Sequence, residues 1–281
     1  MENLTDISVI NQICKKYGFK FKKGLGQNFL CDETVVEDII NGTGITKETN
    51  VIEIGPGFGS LTASLIKAAK SVTSIEIDET LIPVLSDLFK ECDNFTLINK
   101  DVLKFDLNEI IKDDKTVLVA NLPYYITTPI ITYLLEERFN LKSITVMVQK
   151  EVAERLVAKP GSKAYGAITC LIDYYTNAEI ITEVGADSFV PPPNVDSAVV
   201  KMEILKEPRV KPKNERMFFN LIKASFNQRR KTFINGISNS GVTKLSKAEI
   251  QNLILSLGYD VNLRGETLSV EDFCKIADSM E

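Results

Sequence analysis

The chain has 281 residues and contains no histidine and no tryptophan. Without histidine, Ser-His-Asp triads, Cys-His dyads, HExxH zinc sites and histidine-ligated zinc deaminases are all excluded. Cysteine is sparse and scattered, at Cys14, Cys31, Cys92, Cys170 and Cys274. No pair forms a CxxC, so neither a zinc ribbon nor a redox motif is expected, and isolated thiols suit a reducing compartment. Long apolar runs are missing as well. Stretches such as 117–120 fall far short of the ~18 residues of a membrane span. The opening MENLTDISVI has neither the basic nor the apolar region of a signal peptide. These absences lead to the expectation of a soluble cytoplasmic protein with no metal and no membrane partner.

What is present is a chain that is 44% hydrophobic and 25% charged, enough to bury a core without disulfides or metals. Its net charge of −5 speaks at first sight against a nucleic-acid partner.

Between residues 50 and 150 strand-like and helix-like patterns alternate. Strands are expected at 50–54, 72–77, 95–99, 116–120 and 143–148, and helices at 60–69, 80–89, 107–111, 128–136 and 151–158. Strands buried on both faces and separated by helices imply a doubly wound, mostly parallel sheet, with its ligand beyond the strands' carboxyl ends. Further strands are expected at 167–175, 180–184 and 197–204, the first two forming an antiparallel hairpin about Thr176 and Asn177. The charged, proline-bearing segment from Glu207 to Lys213 reads as a boundary. It divides a Rossmann-like α/β domain (1–206) from a small all-α domain (207–281) with helices at 215–238, 247–257 and 270–280. Upstream, Asp32 is placed to cap a helix with Val35, Val36, Ile39 and Ile40 on its apolar face.

Two motifs carry chemistry. Gly55, Gly57 and Gly59 join the first strand to a helix, where glycine permits a tight turn and close approach of backbone to a ligand. Ser60 follows Gly59, so the dinucleotide pattern GxGxxG is not met. Glu76 ends the second strand, 21 residues after Gly55, where a carboxylate can accept hydrogen bonds from ribose hydroxyls. Asp101 follows the third strand. A glycine-rich turn with two surface acids is the plainer reading, but three such features on successive corners favour a nucleoside-bearing ligand.

The second motif is Asn121, Leu122, Pro123 and Tyr124, which closes the fourth strand. The tetrapeptide resembles the signature of amino-methyltransferases, and that resemblance implies as target an exocyclic amine conjugated to an aromatic ring, a poor nucleophile. Acceptors for its N–H groups, the Asn121 side-chain oxygen and the Leu122 carbonyl, can localise its lone pair. Pro123 fixes the turn and lacks an N–H. Tyr124 offers a π face to an extruded base. Alignment rather than a strong base would supply the rate.

Charge is unevenly spread. Residues 201–231 carry ten Lys or Arg against three Glu, a local +7, which leaves −12 for the other 250 residues. Near the start, Lys15, Lys16, Lys20, Lys22 and Lys23 are interleaved with Tyr17, Phe19 and Phe21. Both stretches read either as solvated surface or as phosphate contacts.

The Asn121–Tyr124 tetrapeptide resembles the signature of amino-methyltransferases acting on adenine N6 or cytosine N4. More widely, the chain resembles the small-subunit (16S-type) ribosomal RNA adenine N6,N6-dimethyltransferases, the kasugamycin-sensitivity enzymes of bacteria and the Dim-type dimethylases of eukaryotes. The matching blocks are residues 24–30, 52–59, 75–78, 121–124, 149–156, 162–166, 189–199 and 224–232. The last is the most discriminating. The resemblance implies a class I S-adenosylmethionine-dependent methyltransferase fold and no metal. It implies that the cofactor is held by Asn28, Leu30, Gly55, Gly57, Glu76, Asp101 and Asn121, with Gln27 and Asn28 closing over its methionine end. Glu53 and Pro56 suit a sulfonium better than a dinucleotide on the same ground. Tyr124 is expected to stack on the target base, with Phe189 on its other face or in the core, and Arg229, Arg230 and Lys231 to contact RNA. The implied activity puts two methyls on each of two adjacent adenines in the 3′-terminal hairpin loop of 16S rRNA and contributes to assembly of the small ribosomal subunit. A monomer is expected by the same analogy. Three alternatives stay open: a large-subunit enzyme of the macrolide-resistance type, a non-catalytic RNA-binding factor on this fold, and an NAD-dependent oxidoreductase.

Overall fold

The structure is a computed structural model, and it describes residues 3–19 and 27–280. The chain forms two compact units, Met1–Ala153 with Ala178–Ile204, and Glu154–Asn177 with Leu205–Glu281.

In the first unit, α1 (Ile7–Tyr17) is capped by Asp6, which accepts from the Ser8 amide, and ends at Gly18 in the left-handed region. Its buried residues are Ile10 and Ile13. After the short β1 (Phe29–Leu30), α2 (Glu33–Thr43) starts at Asp32, whose carboxylate accepts from the Thr34 and Val35 amides. This satisfies donors that the first helical turn leaves orphaned.

The alternating segment follows as β2 (Asn50–Ile54), α3 (Ser60–Ala68), β3 (Ser71–Glu76), α4 (Ile82–Leu88), β4 (Phe95–Asn99), β5 (Val117–Asn121), α5 (Thr127–Glu136), β6 (Ser143–Gln149) and α6 (Lys150–Leu156). Two short 3-10 turns follow β4, Val102–Lys104 and Leu107–Glu109, the second standing where a helix over 107–111 was expected. β7 (Thr176–Val184), β8 (Phe189–Val190) and β9 (Ser197–Ile204) complete the strands.

The main sheet has the order β4-β3-β2-β5-β6-β9-β7. β2 pairs in parallel with β3 and β5, β3 with β4 and β5 with β6, whereas β9 runs antiparallel to β6. All five residues of β2 are buried, and so are the first six of β6. Burial on both faces explains why their residues are mostly apolar, with Asn50, Glu53, Ser143 and Thr145 the buried polar ones. The strand order reverses direction between β2 and β5, so a crevice opens at the carboxyl ends of those two strands. β1 and β8 form a separate two-stranded ribbon with Leu30 opposite Phe189.

The second unit contains α7 (Ala167–Tyr175), α8 (Glu215–Asn227), α9 (Phe233–Ser238), α10 (Lys247–Ser256) and α11 (Val270–Ser279). Phe218, Leu221, Phe233, Ile250, Ile254, Phe273 and Ile276 form its buried interior.

Three expectations are corrected here. The segment expected as a strand over 167–175 is α7. Six of its nine residues are buried, and that burial overrides the strand preference of its Ile, Thr and Tyr residues. Thr176 and Asn177 consequently open β7 instead of forming a hairpin turn. The helix expected over 215–238 is two helices, α8 and α9, separated by Gln228–Thr232. The division at 206/207 also differs from the observed units, because residues 154–177 group with the second. Among the described residues no helix is long and apolar enough to cross a membrane, and no cluster of three or more His, Cys, Asp or Glu could hold a metal ion.

Candidate active site

The crevice predicted by the strand order is a cleft of about 1160 Å³, counting the part open to solvent. Its walls include Asn28, Leu30, Gly55, Gly57, Glu76, Asp101, Phe189 and the whole turn from Asn121 to Tyr125.

The glycine loop leaves β2 with Gly55 at φ 70° and Gly57 at φ 59°. A Cβ on Gly57 would lie 2.8 Å from the Phe29 ring, so both backbone conformation and space require glycine there. A Cβ on Gly55 would face the Asn121 carbonyl at 3.6 Å, which measures how closely the ends of β2 and β5 approach.

Glu53 sits beneath this loop, 1% exposed, and its Oε2 accepts from the hydroxyls of Thr62 (2.7 Å) and Ser74 (2.6 Å). Burial pushes its carboxyl up to about 7, against those two hydrogen bonds. Glu76 is 6% exposed at the end of β3. Burial lifts it too to about 7, opposed by amide hydrogen bonds from Asp78, Gly57 and Ile77 and reinforced by the Asp78 charge. A desolvated carboxylate in the wall of a cleft is an acceptor for hydroxyl groups. Asp101 caps the first 3-10 turn through the Leu103 amide (3.1 Å) and also lines the cleft.

Gln27 donates from Nε2 to the Asp78 carboxylate at 2.8 Å. Asn28 offers its carbonyl to the Asn121 amide nitrogen at 3.4 Å. Leu30 is buried in the β1–β8 ribbon and reaches the same cleft. The expected contributions of Gly24, Lys20, Lys22 and Lys23 lie outside the described residues. Lys16 is committed to Asp87 at 2.8 Å, and the Tyr17 hydroxyl donates to the same carboxylate.

The turn after β5 is fixed at each residue. The Leu122 amide donates to the Met147 carbonyl of β6 at 3.2 Å, and its side chain is 1% exposed. The Pro123 carbonyl accepts from the Ile126 amide and the Thr127 hydroxyl, leading the chain into α5. The Tyr124 hydroxyl shares a hydrogen bond with Ser197 Oγ at 2.9 Å. Burial pushes the phenol up, so it stays protonated. Tyr125, beside it, is 60% exposed. Phe189 lies both in the core and at the cleft. Its side chain is 3% exposed and belongs to the hydrophobic core, yet it contributes to the cleft wall.

Arg229, Arg230 and Lys231 belong to the second unit. Arg229 donates from Nη2 to the carbonyls of Lys163 and Tyr165, both at 2.9 Å, and pairs with Glu266 at 3.3 Å. It is therefore a fastener of the 163–165 loop, while Arg230 and Lys231 are exposed. Within 206–213, Arg209 is tied to Asp173 at 3.1 Å and Lys211 to Glu207. Sequence reasoning gave no role to Ser197 or Asp78, although both fall in blocks it singled out. Their importance depends on partners 73 and 51 residues away.

The family profile described as ribosomal RNA adenine dimethylase matches residues 18–281. The chain is 53% identical over 268 residues to Ribosomal RNA small subunit methyltransferase A of Clostridium botulinum (strain Kyoto / Type A2), spanning 95% of this chain and 96% of that protein. It is 49% identical over 270 residues to the protein of the same name from Clostridium acetobutylicum, spanning 96% and 97%. Among solved structures, a dimethyladenosine transferase from Plasmodium falciparum superposes with a TM-score of 0.75 at 27% identity, covering 88% of this chain and 95% of that one. The 23S rRNA methyltransferase ErmE shares the fold, with a TM-score of 0.70 at 22% identity, covering 90% and 99%.

Proposed function

Because the chain belongs to the ribosomal RNA adenine dimethylase family, we propose that it methylates N6 of two adjacent adenines in the 3′-terminal hairpin loop of 16S rRNA. Each adenine receives two methyls, four in all, in the small ribosomal subunit and in the cytoplasm where subunits are assembled. The observation that carries this reading is the Asn121–Tyr124 turn at the rim of the cleft that also contains Glu76 and the glycine loop.

The residues present fit S-adenosylmethionine. Gly55 and Gly57, both in the left-handed region, keep the loop between β2 and α3 tight against the cleft, and Glu76 presents a buried carboxylate to it. When bound, S-adenosylmethionine supplies an electrophilic methyl on a sulfonium centre. Glu76 would hold its ribose hydroxyls and Asp101 its adenine amine. Gly55, Gly57 and Leu30 would line its place in the cleft, and Gln27 and Asn28 would close over its methionine end.

Asn121 has its amide nitrogen engaged by the Asn28 carbonyl, which keeps its Oδ1 as acceptor. Oδ1 and the Leu122 carbonyl take the two N–H groups of the target amine and direct its lone pair. Tyr124 stacks on the base, with Phe189 as the opposing wall. None of these residues needs to remove a proton before transfer, so the acceleration comes from alignment. Unpaired loop bases can be splayed at low cost. The second unit supplies RNA contacts through Arg230 and Lys231, with Arg229 holding the loop beside them.

Incubation with labelled S-adenosylmethionine and undermethylated small subunits should yield N6,N6-dimethyladenosine on nucleoside mass analysis. Active-looking protein that leaves the subunits unlabelled would sink the reading.

A further inference from the structure

Tyr124 and Phe189 line the same cleft from different parts of the chain, and both are referenced to one dipeptide, Asp196–Ser197. Ser197 is the first residue of β9 and is fully buried. It stands opposite Gln149 in the antiparallel pairing of β9 with β6. The neighbouring Asp196 is held by its carbonyl, which accepts from the Lys150 amide at 2.9 Å. Two outputs leave this anchored point. The Ser197 hydroxyl meets the Tyr124 hydroxyl at 2.9 Å. The Asp196 carboxylate accepts from the Ala186 amide at 3.1 Å, at the start of the 3-10 turn Ala186–Ser188 that delivers Phe189.

β6 also pairs with β5, placing Met147 opposite Asn121. The group that would aim the amine and the ring that would stack on the base are thus registered to the same strand from opposite sides. A tyrosine ring on a turn can swing about its χ1 bond, and a hydrogen bond at its far end restrains that swing. Ser197 is fully buried, so its hydroxyl needs a partner, and Tyr124 supplies one.

On the function proposed above, we propose that Ser197 is a positioning residue for base methylation: its hydroxyl fixes where the far end of the Tyr124 ring lies in the cleft wall, and its backbone neighbour Asp196 sets the loop that carries Phe189. It touches no substrate and acts through the aromatic walls of the cleft.

The test is a double-mutant cycle on the full chain with small subunits. Ser197→Ala and Tyr124→Phe each remove one side of the hydrogen bond and keep both rings. Each should lower kcat roughly 3- to 10-fold, the size of one neutral hydrogen bond, with KM for the subunit unchanged. The double variant should lose no more than either single one. A loss in the double variant equal to the product of the singles overturns the proposal, as does a Ser197→Ala protein with wild-type kcat. A second readout avoids methyl transfer altogether. A hairpin RNA carrying 2-aminopurine at the target position should be quenched by wild type and less by either variant. Wild-type protein that quenches this probe more than the variants yet fails to methylate undermethylated small subunits would leave the positioning role standing and refute the proposed reaction. Equal quenching by all proteins refutes the positioning role alone.

Discussion

The Asn121 side chain donates to the Asn28 carbonyl at 3.4 Å, joining the end of β5 to a residue 93 positions earlier. This bond assigns the two ends of the Asn121 amide. The nitrogen is used by the protein, so on the function proposed above the oxygen is the end left for the target amine. Asn121→Ala removes an acceptor at the reacting amine, and the expected loss of methyl transfer is about 100-fold or more. Subunit binding should change little. Filter binding beside turnover measurements checks the split, and equal losses in both would show that Asn121 serves the fold.

Glu76→Gln keeps the shape of the side chain and removes its charge. Charge-assisted hydrogen bonds to hydroxyls should weaken, lowering affinity for S-adenosylmethionine by about 10- to 100-fold. The wild-type affinity should rise with pH and level off above about 7, where the Glu76 carboxyl is ionised. Titration calorimetry at pH 6, 7 and 8 measures both effects. The Gln variant should show no such rise.

The buried Glu53 makes an opposite demand on stability. Its carboxyl is raised from 4.5 to about 7 in the folded protein. Between those values the folded state keeps a proton that the unfolded chain has released, so stability falls as pH rises through this window. Below about 4.5 both states are protonated and this contribution is lost from neither. Glu53→Gln should therefore gain on wild type as pH goes from 4.5 to 8, by up to about 3 kcal/mol. Urea denaturation across that range reads the difference.

Gly57→Ala places a Cβ against Phe29 at a left-handed backbone position. Destabilisation of about 1–2 kcal/mol is expected, together with loss of cofactor binding. Thermal melting with and without S-adenosylmethionine should show a lower midpoint and no ligand-induced shift.

The basic segment separates into two kinds of arginine. Arg229→Ala releases the Lys163 and Tyr165 carbonyls and should cost about 1 kcal/mol of stability. Charge reversal at Arg230 and Lys231 should leave stability within about 0.5 kcal/mol yet flatten the salt dependence of subunit binding. An unchanged salt slope would remove them from the RNA surface.

Much of the first unit was readable from pattern. β2 and β5 are short apolar runs ended by glycine and by Asn-Leu-Pro-Tyr, and such punctuation marks strand ends well. α7 was not readable, because Ile168, Thr169, Ile172, Tyr174 and Tyr175 are residues that favour strands, and burial of the segment overrides that preference. The break at Gln228–Thr232 has no proline or glycine to announce it. The site shows the same division. Gly57, Glu76 and Asn121 stand at strand ends, which local sequence can locate. Ser197 and Asp78 act through partners that only strand register and chain crossing bring near.

The reversal of strand order between β2 and β5 divides the labour of the cleft along the chain. Residues from β2 to Asp101 line one part of the cleft, Asn121 to Ile126 with Phe189 another, and Gln27 to Leu30 a third. The third stretch ties to the second through the Asn28–Asn121 hydrogen bond and the pairing of Leu30 with Phe189. On the function proposed above, substitutions beyond Asn121 would retarget such an enzyme to another amine while leaving the glycine loop, Glu76 and Asp101 as they are.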